Sequence, residues 1–169
     1  RFDVRTQVGR SLAAILDRNP RIPFDRGRMY DAVLREIDLG RPVWESRRLL
    51  DASADRSPLD RFVRERARQS LAHVFTLLSL VLPREPLQIA FRSLQRDDRH
   101  LRGTALEYLE STLPSPVRQQ LLPYLIDRPV MPSRKGAPAV ADLLRSSGSK
   151  TLQAVGGAWD HSVAGFGVA

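Results

Sequence analysis

The chain has 169 residues, 42% hydrophobic and 27% charged, the balance of a soluble globular protein large enough to bury a core. It holds no cysteine, which excludes a disulfide framework and a thiolate metal site. The formal charge of +8 rests on 25 Arg and only 2 Lys, with the Arg interleaved among Asp and Glu, a pattern that does not single out a phosphate-binding surface.

The first predicted helix runs from about Val4 to Asp17, with Val8, Leu12 and Ile15 on its inward face, and Asn19-Pro20 stops it. After the short apolar linker Ile22-Pro23-Phe24, Asp25 caps a second helix that turns Met29, Tyr30, Val33, Leu34 and Ile37 inward. Gly40 and Pro42 are expected to end it, and Trp44 to Ala52 to form a third helix with Leu49 and Leu50 buried. Ala54 to Ser57 reads as a polar turn. Pro58 then opens the longest helix, which reaches about Leu82, charged in its first half and apolar in its second.

Pro83-Arg84-Glu85-Pro86 reads as a hard turn before a short helix from Leu87 to Gln95. Asp97-Asp98 caps the next helix, Arg99 to Leu113. Ser115, followed by Pro116, caps one that runs to about Asp127 and kinks at Pro123. Such short connections point to sequential antiparallel stacking. Beyond Arg128, Pro129, Pro132, Gly136 and Pro138 make a loop, Ala139 to Arg145 one more short helix, and the Ser/Gly/Ala-rich end a poorly packed tail anchored by Trp159 and Phe166. The expected division is a helical repeat domain over 1–128 and a loop, short helix and tail over 129–169.

One apolar signature recurs. Asp98-x-x-Leu101-Arg102-x-x-Ala105-x-x-x-Leu109 is matched 38 residues earlier by Asp60-x-x-Val63-Arg64-x-x-Ala67-x-x-x-Leu71. Val4-Arg5-x-x-Val8-x-x-x-Leu12 and Val117-Arg118-x-x-Leu121-x-x-x-Leu125 are weaker copies without the Asp. Apolar positions at i, i+4 and i+8 make one stripe of a helix, and the Asp three residues ahead is placed to cap it. A helix recurring about every 40 residues is the mark of a HEAT or armadillo solenoid. The fold expected is therefore all-α, a right-handed HEAT/armadillo-like solenoid of about seven or eight helices.

No catalytic constellation stands out. His73, His100 and His161 share no ligand spacing, and His73 sits in an apolar stretch where a hydrogen-bonded core residue is expected. Glu107 and Glu110 read as a solvated helix face. Gly148-Ser149-Lys150-Thr151 lacks both glycines of a phosphate loop, at positions 144 and 149. The chain is read as a non-enzyme with no cofactor and no metal. The candidate contacts to a partner or to phosphate are two arginine groups: Arg61, Arg64 and Arg68 on one helix face, and Arg92, Arg96 and Arg99, with Arg102 beside them, across a helix pair. A groove shared between neighbouring repeats would collect them.

Four strings carry a resemblance: Ile22-Pro23-Phe24-Asp25-Arg26, the stretch from His73 to Leu80, Leu101-Arg102-Gly103-Thr104-Ala105-Leu106-Glu107-Tyr108-Leu109-Glu110, and Leu121-Leu122-Pro123-Tyr124-Leu125. Over residues 4 to 128 the chain resembles the HEAT-repeat domain of certain bacterial membrane proteins. In that family a membrane part similar to ATP/ADP translocases or major-facilitator proteins precedes the repeats. The resemblance implies a cytosolic scaffold or regulatory module, part of a longer protein as the opening Arg1 also suggests, working at the cytoplasmic face of the membrane. Its partner would be another protein or the adjacent membrane domain of the same chain, with anionic lipid as a further contact. It carries over no transport or ligand residue. The competing expectation is a nucleic-acid-binding HEAT-like domain, similar to the DNA glycosylases built on this fold, with the arginine clusters on phosphate. Against it, Tyr30, Phe75, Phe91 and Tyr108 all fall at expected core positions.

Overall fold

Six helices follow one another in the computed structural model, which describes residues 1–51 and 58–126 together with Asp142, Arg145, Lys150, Gln153 and Ala154. They are α1 (Phe2–Arg18), α2 (Arg26–Asp51), α3 (Pro58–Leu78), α4 (Arg84–Leu94), α5 (Arg99–Thr112) and α6 (Ser115–Leu125). Among the described residues there is no strand, so the protein is all-α. The expected turn at 54–57, the loop after Arg128, and, apart from those five residues, the helix over Ala139 to Arg145 and the tail with Trp159 and Phe166 lie outside the described residues. The chain divides into two compact units: Arg1–Asp38 with Ser70–Asp127, and Leu39–Gln69 with the region from Arg128 onward.

The first unit holds the larger described core. Leu87, Ala90 and Leu94 of α4 bury themselves at spacings of three and four, and Val117, Leu121 and Leu125 of α6 at a spacing of four. Between them Ala105 and Leu109 of α5 are buried, and α5 packs on α4 and on α6. Val33 and Ile37 of α2 and Val74 and Leu78 of α3 complete the core. Connections of four residues (95–98) and two residues (113–114) hold α4, α5 and α6 in series.

The ends of these helices follow the local chemistry with three exceptions. The Asp98 carboxylate accepts from the backbone N–H of His100 at 2.9 Å and of Leu101 at 3.0 Å, the expected cap. The Asp25 carboxylate likewise accepts from Arg28 N–H at 3.1 Å. Ser115, expected as a cap, is instead the first residue of α6, and its hydroxyl accepts from the Gln119 side chain at 3.3 Å. α4 starts at Arg84, within the stretch read as a hard turn. Pro86 is harmless there, because N–H groups in the first turn of a helix have no intrahelical partner in any case. α3 ends at Leu78 rather than Leu82, tightening into turns in which Leu80 N–H donates to Leu77 O at 3.1 Å and Val81 N–H to Leu78 O at 3.1 Å.

α1 is turned over relative to expectation. Val4, Val8 and Ile15 are 57%, 60% and 48% exposed, whereas Gly9 is buried. A Cβ at Gly9 would stand 3.0 Å from His73 Cε1 and 3.4 Å from a Leu77 methyl, so α1 seats its bare glycine against α3 and leaves its valine stripe outside.

In the second unit the expected break at Gly40-Arg41-Pro42 does not occur: α2 runs through it, with Pro42 inside the helix. Pro42 removes one rung of the ladder, and Ser46 Oγ donates to its carbonyl at 2.7 Å. Val43, Trp44 and Leu50 are buried on the far side of the proline, and that burial outweighs the local penalty. The two helices expected on either side of Pro42 are therefore one. In this unit Val63 and Ala67 of α3 are also buried.

Candidate functional site: arginine caps and an arginine-rimmed cleft

The recurring signature places its arginine on the end of another helix. Arg102 donates to the carbonyl of Leu94, the last residue of α4, at 2.6 Å, and to the carbonyl of Leu125, the last of α6, at 3.1 Å. Arg118 donates to Glu110 O near the end of α5 at 3.0 Å. Arg64 donates to Leu50 O near the end of α2 at 3.4 Å and pairs with Asp51. The final carbonyls of a helix lack intrahelical partners and carry the negative end of its dipole, so a guanidinium there serves both as donor and as counter-charge. The α1 copy differs, since Arg5 Nε instead meets the Glu36 carboxylate at 2.5 Å. The acidic residue is not equivalent either. Asp98 caps α5, whereas Asp60 lies buried in the first turn of α3.

These roles divide the expected contact residues. Arg64 belongs to its cap and to Asp51. Arg68 grips Glu65 through two bonds of 2.9 and 2.8 Å, and this hydrogen bonding, helped by Gln69, lowers the Glu65 pKa to about 2. Arg61 is exposed on the same helix. Arg61, Arg64 and Arg68 fall in the second unit, and Arg92, Arg96 and Arg99 in the first, all three exposed.

Of these six, Arg92 alone lines a cavity of about 340 Å³ in the first unit, formed by α1, α3 and α4. Its apolar lining includes Phe75 and Phe91, whose ring centroids are 4.6 Å apart at 37°. Ala13 and Ala14 of α1 and Ala72 of α3 keep it open by their small size. Arg84, Gln88 and Arg92 enter from α4 at i, i+4 and i+8, and Arg10 and Asp17 from α1. Arg84 is paired with Asp17. Among the described residues the side chains of Arg10 and Arg92 make no hydrogen bond or ion pair. The two hydroxyls in the lining are committed to the backbone: Thr76 Oγ1 donates to Ala72 O at 2.9 Å and Ser79 Oγ to Thr76 O at 2.7 Å. Sequence reasoning missed Arg10 and Arg84. The polar stripe 84-88-92 was a local signal for one side of the cleft, but its meeting with α1 was not.

His73 is buried beside this region, as expected, but it is not hydrogen-bonded as expected. Its Nδ1 has no partner among the described residues, and its Nε2 stands 3.9 Å from Glu36 Oε1, beyond hydrogen-bond reach. The Phe2 ring meets it edge-on at 5.9 Å and 86°. Burial lowers its pKa; Glu36 opposes that shift, and Arg5 and Arg10 add to it. The fold thus keeps His73 neutral, while the unfolded chain takes a proton near pH 6.5. Its contribution to stability is complete above about pH 6.5 and is lost as the pH falls below that value. Urea unfolding at pH 7.5 and pH 5 should show the wild type losing more stability than His73→Gln over that interval; equal losses would contradict the assignment.

Among the described residues no group of three or more His, Asp or Glu side chains is placed to hold a metal ion, and no helix is long and apolar enough to cross a membrane. No family model, no curated protein and no solved structure matches the chain.

Proposed function

We propose that the protein is a non-catalytic interaction module, a HEAT-like helical stack that holds a segment of a partner protein in the cleft of α1, α3 and α4. The observation that carries this reading is the cleft itself. Its aromatic residues and small alanine walls suit an inserted side chain, and its rim holds two arginines whose side chains have no partner among the described residues. The serial packing of α4, α5 and α6, with the signature arginine on helix ends, supports the HEAT-like part. The sequence resemblance over residues 4 to 128 supports placing the module in the cytosolic part of a transporter-like membrane protein. The nucleic-acid reading is weaker, because Arg64, Arg68, Arg102 and Arg118 already have carbonyl or carboxylate partners.

The test is selection of random 12-residue peptides on the immobilised chain, followed by binding to Ala14→Trp, which fills the cleft from its exposed wall. The reading predicts selected peptides that lose at least about tenfold in affinity for Ala14→Trp, since about 1.4 kcal/mol is a modest share of a buried anchor. Selection of none, or of peptides indifferent to Ala14→Trp, would contradict it.

A further inference from the structure

The charge that the cleft leaves unneutralised is positive, while its neutral polar groups, Gln88, Thr76 and Ser79, can each still accept a hydrogen bond. Arg10, Arg92 and the Gln88 amide stand at its edge, the one lining carboxylate, Asp17, is held by Arg84, and the hydroxyl protons of Thr76 and Ser79 are turned onto backbone carbonyls. Three guanidinium groups face a single carboxylate, so the cleft is electropositive. Between these groups lie carbon surfaces, Phe91 half-buried and the alanines of α1 and α3. A matching occupant has an apolar body and carries acceptors on its flanks.

We propose that the cleft receives an acidic segment of a partner protein. Its bulky apolar side chain lies against Phe91 and the alanine walls, and its flanking carboxylates meet Arg10 and Arg92. This inference rests on the interaction reading above and narrows it to one chemistry of partner. A nucleic-acid strand supplies the negative charge but no aliphatic anchor. Its bases could use only part of an aromatic pair whose rings already lie against each other at 4.6 Å. A Leu or Phe between Asp or Glu residues supplies both. Charge-assisted bonds at an open rim govern encounter and selectivity, and the apolar anchor governs residence.

The peptides selected on the full chain provide the test. Those sensitive to Ala14→Trp should be enriched in Asp and Glu next to Leu or Phe. They should lose at least about tenfold in affinity for Arg10→Gln/Arg92→Gln, and a similar factor when their own acidic residues become Asn or Gln. Raising salt from about 50 to 500 mM should weaken binding to the wild type and have little effect on the double variant. Both arginines are exposed and their side chains have no hydrogen-bond or ion-pair partner among the described residues, so unchanged thermal unfolding of the double variant is expected and serves as the control. Peptides sensitive to Ala14→Trp but lacking acidic enrichment, or bound equally by the double variant, would overturn the acidic partner and leave the interaction reading intact. Displacement of the peptide by a 12-nucleotide single strand at comparable concentration would overturn it in favour of nucleic acid. If no peptide responds to Ala14→Trp, both readings fall.

Discussion

Leu109→Ala is expected to destabilise the protein by about 2–5 kcal/mol, the range for a leucine removed from a packed core. Leu109 is fully buried in α5, the helix that packs on both α4 and α6. Leu106, one turn earlier, is only half-buried, and its replacement by Ala should cost clearly less. Chemical denaturation of the two variants checks this directly. A loss below about 1 kcal/mol at Leu109 would mean that α5 does not present this face to its neighbours.

Arg102→Ala is expected to cost about 2–3 kcal/mol, more than removing any exposed arginine, because one guanidinium serves the last carbonyls of α4 and α6 together. Arg102→Lys should recover little of it. A single ammonium has no planar fork with which to bridge two carbonyls on different helices. Arg99→Ala, at an exposed position three residues away, should stay within about 0.5 kcal/mol. Equal effects at 99 and 102 would remove the structural role from the signature arginine.

That role accounts for part of the arginine excess. The spacing of Arg61, Arg64 and Arg68 gave them one helix face correctly, but it said nothing about Leu50 O, Asp51 and Glu65, which take up two of the three. The recurrence of Val/Leu-Arg-x-x was legible; that its arginine reaches a helix terminus 8 or 14 residues earlier in the chain was not, since the contact depends on packing. Local signals did well where local chemistry decides. Asp98 caps α5, and the i, i+4, i+8 stripe of α6 is buried throughout.

They failed where tertiary burial competes. Gly40 and Pro42 read as a helix stop, yet α2 continues because Val43 and Trp44 gain more from burial than Pro42 loses. The valine stripe of α1 read as a core face, yet Gly9 is the residue that fits against His73. Of the cleft, only Arg92 was anticipated. Phe75 and Phe91 were read as core and are in contact with each other as core residues are, but they also line the cavity that α1 completes.

The measurement that tests the central claim most directly is an amide chemical-shift titration of the labelled full chain with a peptide selected on it. Binding in the cleft predicts perturbations that cluster at Ala13, Ala14, Thr76, Gln88 and Arg92 and spare the arginine face of Arg61 and Arg68. Perturbations confined to that arginine face, or to the exposed stripe of Val4, Val8 and Ile15, would contradict it and move the site elsewhere.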